Sequence, residues 1–289
     1  MTLLSQVLQY AISGMTGGSI YAIIGICWSL VYLVTTVLNF ATGEFLMLGG
    51  MLTWGLHKGG LGLPAAAALA TLATTAMAVV LERVVIRPVR FPTEMTYMML
   101  TIASASVIKG VVLLVWGSET RNIDPFFGSR VIEFLGATVT PQVIAVFGLL
   151  LVVTVGLALF LNGSLFGKAL RASAINMTGA RLMGIDIGSV RLFCFGLAGF
   201  LGAVTGIFIA PITFTGYEIG MLAGLKGLVA AIVGGWTITG TVLAGLAIGL
   251  LEGCCAGFLD AGLKDVFALT VMILFLIFET LSWRRRSRA

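Results

Sequence analysis

The residues of this chain that could do chemistry are few, and most stand alone in apolar sequence. The single histidine, His57, sits beside Lys58 at a segment end, a position that suits a membrane interface. There is no HExxH, no GxSxG and no pair of carboxylates at helical spacing, so no hydrolytic or metal-assisted constellation is available. The nearest approach to a phosphate loop, Gly163-Ser164-Leu165-Phe166-Gly167-Lys168-Ala169, lacks the spacing and the hydroxyl after lysine that a nucleotide-bound Mg²⁺ requires. Cys27, Cys194, Cys254 and Cys255 lie inside apolar segments without CxxC or Cys/His spacing and read as small core hydrophobes. No catalytic residue, metal or cofactor is therefore expected in this chain. If nucleotide hydrolysis drives it, another chain performs it.

Ionisable groups within apolar segments are better leads, because each costs a few kcal/mol at depth and persists mainly when buried in protein or lining water. Glu44 follows Asn39-Phe40-Ala41-Thr42-Gly43 at an expected helix break. Loosened backbone there makes Asn39, Thr42 and Glu44 candidates for lining a pathway, while a carboxylate near a helix start also compensates exposed amides. Lys109 lies ~10 Å from the outer end of its segment and either snorkels outward, the favoured reading, or attracts an anionic solute. Lys226 and Glu252 fall in consecutive segments and are expected to pair, with Lys226 also a candidate for the pathway.

The elements that must position these groups follow from composition. Hydrophobic residues make up 59% of 289 positions and charged residues 10%, with a mean hydropathy of +1.10. No water-soluble surface can be assembled from that remainder, and apolar runs of ~20 residues without strand-like alternation specify transmembrane helices rather than a barrel. Nine segments are expected, at 9–33, 40–56, 64–85, 97–116, 143–161, 192–210, 222–236, 241–258 and 266–283. Gly14, Gly17, Gly18 and Gly25, followed by Asn39 and Glu44, leave 9–45 as one broken span, two shorter ones or a half-span. The seventh segment is ~22 Å long as a helix. The expected fold is an all-α polytopic bundle of about 8–9 membrane segments, some broken or half-spanning, in one domain over 1–289. Residues 1–10 lack the basic region and cleavage site of a secretory signal and are expected to remain. Gly196, Gly199, Gly202 and Gly206 give one segment a small-residue face for close helix packing.

The net charge is +5, but its distribution argues against nucleic acid. Eleven of the 17 basic residues fall in three groups: Arg83, Arg87 and Arg90; Lys168, Arg171, Arg181 and Arg191; and Arg284, Arg285, Arg286 and Arg288. That is the positive-inside pattern, which places these regions and the C-terminus in the cytoplasm, with the last group on the anionic leaflet. The loops at 117–141, 59–63 and 212–220 then face outward, and a turn at 237–240 joins the seventh and eighth segments. The orientation of Met1 follows from whether the first segment breaks. The interruption at 162–191 reads as a short helical insert on the basic side, placed for a soluble partner to grip.

Several passages together carry a resemblance: Gly17-Gly18-Ser19-Ile20-Tyr21-Ala22; Asn39-Phe40-Ala41-Thr42-Gly43-Glu44-Phe45; Arg87-Pro88-Val89-Arg90; Gly167-Lys168-Ala169-Leu170-Arg171-Ala172; Ala180-Arg181-Leu182-Met183-Gly184-Ile185; the run from Gly224 to Gly235; and Gly249-Leu250-Leu251-Glu252. In this order and combination the chain resembles the LivH-type permeases of branched-chain amino acid ABC importers over nearly its whole length. The resemblance implies a bacterial inner-membrane importer subunit paired with a LivM-like permease. It also implies two cytoplasmic LivG/LivF-like ATP-binding subunits, which hold the ATP and Mg, and a periplasmic solute-binding protein. The insert would then be the coupling element on an ATPase, with Lys168, Arg171 and Arg181 meeting an acidic rim. Leu170, Leu182, Met183 and Ile185 would supply the apolar anchor; otherwise the insert is a solvated amphipathic connector. The sequence departs from the pattern at Thr42, where such motifs carry histidine, and at Lys109, a position expected to be neutral. The wider family moves amides, urea and carboxylic acids as well as amino acids, so the solute stays open. Two other classes are compatible with the composition: an ion-coupled secondary transporter or channel without ATPases, and a noncatalytic membrane scaffold.

Overall fold

The computed structural model describes residues 3–89, 93–128, 132–134, 137–258 and 270. Its helices are α1 (Leu3–Thr35), α2 (Thr42–Lys58), α3 (Leu63–Val80), α4 (Glu94–Trp116), α5 (Pro141–Gly163), α6 (Leu165–Ile175), α7 (Met177–Leu182), α8 (Ile187–Thr213), α9 (Ile219–Val233) and α10 (Ile238–Phe258). A π-helical turn, Leu81–Ile86, continues α3. A short antiparallel hairpin, β1 (Ile132–Phe134) and β2 (Ala137–Val139), pairs Ile132 with Val139. Six of the helices, α1, α3 with its π turn, α4, α5, α8 and α10, are long and apolar enough to cross a bilayer. The chain is a multi-pass membrane protein. The expected segment at 266–283 and the terminal arginines lie outside the described residues, as does Arg90.

The glycines of the first segment do not break it. Helix α1 runs unbroken to Thr35 and the interruption falls at 36–41, before α2 starts a separate, shorter helix. Glycine weakens a helix in water, but without solvent to compete for its amides the same residue lets a neighbour approach. A Cβ on Gly18 would stand 2.7 Å from the Gly245 carbonyl oxygen, and one on Gly14 would stand 2.5 Å from that of Gly249. The seam between α1 and α10 therefore has no room for larger residues. Gly199 meets Ala78, and Gly202 meets Phe45, so the glycine face of α8 seats both α2 and α3.

Helices α1 and α8 are the most enclosed spans, with Trp28 and Phe195 fully buried, as is Phe45 of α2. Polar side chains fasten the interior across helices. The Trp28 indole N–H donates to the Gly224 carbonyl at 3.1 Å and the Gln142 amide to that of Phe208 at 2.7 Å. Helices α3, α4 and α5 lie at the periphery and present residues such as Leu72, Leu114 and Leu159 outward, the face that suits lipid.

The two ends of the bundle differ. At one, Gln9 clasps the backbone of Thr138, Arg121 stacks over Trp54, and Arg121 and Thr215 exchange backbone hydrogen bonds, so the hairpin gathers with the loops after α2, α4 and α8. At the other lie α6, α7, the π turn and the turn between α9 and α10. That last turn lies at 234–237 rather than 237–240: Gly235 and Trp236 take positive φ and end α9, and the Thr237 hydroxyl accepts from the Gly240 N–H to start α10.

Candidate functional site

The interruption at 36–41 buries polar groups. The Asn39 Oδ1 accepts from the Ala41 N–H at 3.2 Å, closing a side-chain turn onto the start of α2. Asn39, Thr42 and Glu44 are all buried, and the Asn39 Nδ2, Thr42 Oγ1 and Glu44 Oε2 have no hydrogen-bond partner among the described residues. Gly43 packs directly on Gly220 and Gly224, which sets this polar knot against α9. Lys109 acts on it by charge rather than by contact: its field reaches Glu44, while its ammonium lies 3.8 Å from the Glu218 carboxylate and 5.1 Å over the Tyr217 ring, reaching from α4 toward the hairpin end. There Glu218 raises the Tyr217 phenol above its ordinary range by accepting its hydrogen bond.

Lys226 and Glu252 meet at 2.7 Å, each side chain only 8% exposed. The ammonium also donates to the Tyr21 hydroxyl at 3.2 Å. The three stand in the wall of a cavity of about 610 Å³ bordered by α1, β2, the start of α5, the end of α8, α9 and α10. Gln9, Ser13, Gly17 and Tyr21 follow one another four residues apart along the α1 wall, spanning ~18 Å from the hairpin end to the ion pair. Tyr21, Gln9 and Thr138 were not among the sequence candidates. The four-residue repeat of polar and small residues on an otherwise apolar span was the available signal.

The insert is built from capped pieces. Ser164 accepts from the Gly167 N–H to start α6, Asn176 from the Gly179 N–H to start α7, and Asp186 from the Gly188 and Ser189 N–H groups to start α8. The Ser189 hydroxyl, then the Gly188 amide, hold the Asp186 carboxyl below the usual carboxylate range, with Arg87 adding to the effect. Lys168, Arg171 and Arg181 are exposed, and Arg171 donates to the Asn162 Oδ1 at 2.8 Å.

Two sequence assignments change here. Leu170 is 2% exposed and belongs to the apolar core of the bundle, because the inward face of α6 falls on it; Leu165, Phe166 and Ile175 are the exposed large apolar residues of that helix. Leu182 and Met183 are 85% and 84% exposed, while Ile185 is half-buried against the core. Arg191 belongs to α8 rather than to the insert surface, and its Nε donates at 2.7 Å to Glu82, whose side chain is fully buried in the π turn.

The sequence matches the family described as branched-chain amino acid transport system / permease component over residues 10–276. It is 30% identical over 287 residues to the high-affinity branched-chain amino acid transport system permease protein BraD of Pseudomonas aeruginosa, covering 94% of each chain. It is 29% identical over 287 residues to the corresponding permease protein LivH of Escherichia coli K12, covering 93% of this chain and 92% of that one. The family match takes in the insert and every cavity-wall residue but Gln9.

Proposed function

The chain belongs to the permease-component family of branched-chain amino acid transport systems, and from that premise we propose that it forms the translocation path of an ATP-driven importer in a bacterial inner membrane. The whole chain acts as one permease domain. A second, LivM-like permease stands beside it, two LivG/LivF-like chains bind ATP and Mg, and a solute-binding protein delivers a small polar solute, a branched-chain amino acid or a related compound, at the outer face. The insert end and the C-terminus are cytoplasmic, as the basic groups require.

The observation that carries this reading is the insert: two short capped helices that present Lys168, Arg171 and Arg181 beside the exposed Leu165, Ile175, Leu182 and Met183. Apolar side chains left outside the core at a basic end of the bundle have the make-up of a docking surface, with anchors inside a charged rim. ATP-driven closure of the partners would push this element, and the part-buried Arg191–Glu82 contact would carry the push from α8 to the π turn below α3. The solute would pass between the polar knot of Asn39, Thr42 and Glu44 and the cavity wall holding Lys226. Coupling to an ion gradient has weaker support: Glu218 faces Lys109 and Glu252 pairs with Lys226, which leaves Glu44 as the one carboxylate of the three outside an ion pair among the described residues.

The deciding experiment is gentle purification of the tagged chain from its native membrane, with every co-purifying protein identified. Recovery of two ATP-binding chains and a second permease supports the importer. Recovery of this chain alone, still moving solute after ATP depletion, overturns it.

A further inference from the structure

The cavity beside Lys226 and Glu252 has features that packing alone does not need. A buried ion pair between consecutive helices is commonly sealed in the seam, but this one stands in the wall of about 610 Å³ of space, within the range of small-molecule sites. The rest of the wall is mostly apolar, with Ile20, Ile209, Ile212 and Leu222 around the charged groups. Opposite charges 2.7 Å apart, beside an apolar chamber, match one ligand chemistry. That ligand has an ammonium and a carboxylate on neighbouring atoms and an apolar remainder, as an α-amino acid does.

We infer that the cavity is a zwitterion site, in which Lys226 takes the carboxylate and Glu252 the ammonium of an amino acid that enters from the hairpin end. The inference rests on the permease reading and assigns it the residues that hold the two ends of the solute. With the site empty, the two side chains neutralise each other, so the bundle carries no uncompensated charge. With the site filled, the ligand's two charges replace that pairing one for one, and the net charge of the cavity stays zero. A simple cation or anion supplies only one half of the exchange and leaves the other protein charge without its partner, so it is rejected at a polar cost no apolar contact repays. Tyr21, within 3.2 Å of the Lys226 ammonium, holds that ammonium in place while the pair opens. The glycines of the α1–α10 seam, Gly14 and Gly249, also border the cavity and keep its walls low enough for a ligand to reach the pair.

The test uses the full chain with its co-purifying subunits in lipid nanodiscs. Ser13 lines the cavity on α1 and is exposed. A Ser13→Cys variant is labelled with a maleimide, and the parent chain, with its four native cysteines, is the blank. L-Leucine should slow labelling of the introduced thiol, whereas leucinamide and 4-methylpentanoate, which keep the side chain but only one charge each, should not. When Lys226→Gln and Glu252→Gln, neutral and nearly isosteric changes, are added to the Ser13→Cys variant, labelling in the absence of ligand should be unchanged and show the cavity intact. Protection by leucine should be weaker there by about ten- to a hundredfold, the worth of charge-assisted hydrogen bonds.

Equal protection by the two singly charged analogues, undiminished protection after the two Gln substitutions, or no protection by any of leucine, phenylalanine and glycine would each overturn the site. ATP-dependent leucine uptake by the same complex in proteoliposomes separates this result from the permease reading. Uptake without protection removes the zwitterion site and leaves the permease; protection without ATP-dependent uptake keeps the site and removes the importer.

Discussion

Lys226 and Glu252 meet at 2.7 Å inside an apolar bundle, each the ion-pair partner of the other. Truncating one member of such a pair leaves the other desolvated, so Glu252→Ala should destabilise the protein by about 3–5 kcal/mol. The Lys226→Gln/Glu252→Gln double change, which removes both charges, should cost clearly less. Thermal unfolding of the detergent-solubilised protein orders the two, and equal losses would mean that the pair contributes no electrostatic balance. This contact was legible in the sequence because both residues sit in consecutive segments joined by a tight turn. The Tyr21 contact was not, since it joins positions 205 apart: the repeat of Gln9, Ser13, Gly17 and Tyr21 marks a face of α1 but not the helix that face will meet. Arg191 misled for a related reason. Basic residues near a segment end read as solvated, whereas this one is held by Glu82, buried 109 positions away.

At the scale of elements, the insert divides its apolar residues between two faces. Leu170→Ala removes a buried side chain and should cost about 2–5 kcal/mol of stability. Leu182→Ala with Met183→Ala should leave the melting temperature unchanged while weakening capture of the ATP-binding chains in a pull-down. A melting temperature lowered equally by both sets would show that Leu182 and Met183 are structural. The cap of α8 predicts a pH dependence. Because the Asp186 carboxyl is held below its unfolded range, its contribution is fully present above that range and is lost as pH falls through the lowered folded value. The first turn of α8 should therefore stay protected from amide exchange down to about pH 4 and fray only in stronger acid. Asp186→Asn, which keeps the acceptor without the titration, should flatten that dependence. Ser164, Asn176 and Asp186 are residue types that favour helix starts, a local signal that had not been read as caps; the inward turn of Leu170 has no local signal, because an 11-residue helix presents one face or the other according to what it docks against.

For the whole molecule, the basic surface of the insert and the proposed translocation path lie at different levels of one bundle, so charge reversal at the first should disconnect it from the second. Arg171→Glu with Arg181→Glu should abolish ATP-driven uptake in proteoliposomes while leaving folding intact, along with leucine protection of the thiol introduced by Ser13→Cys. Normal uptake by that variant would remove the docking surface. The sequence by itself determined that the chain lives in a membrane, roughly where its described spans fall, where its basic groups cluster and where the insert interrupts the spans. Hydropathy and charge accumulate residue by residue, and a span needs only its own length to be recognised. Tertiary structure alone decided that α1 stays whole through its glycines, that the break falls at 36–41, that Leu170 and Arg191 turn inward, and that Tyr21, Lys226 and Glu252 share one cavity wall. Those outcomes depend on how each helix is rotated about its axis. That rotation is set by which small residues on distant segments, such as Gly14 and Gly18 against Gly245 and Gly249, let two backbones touch.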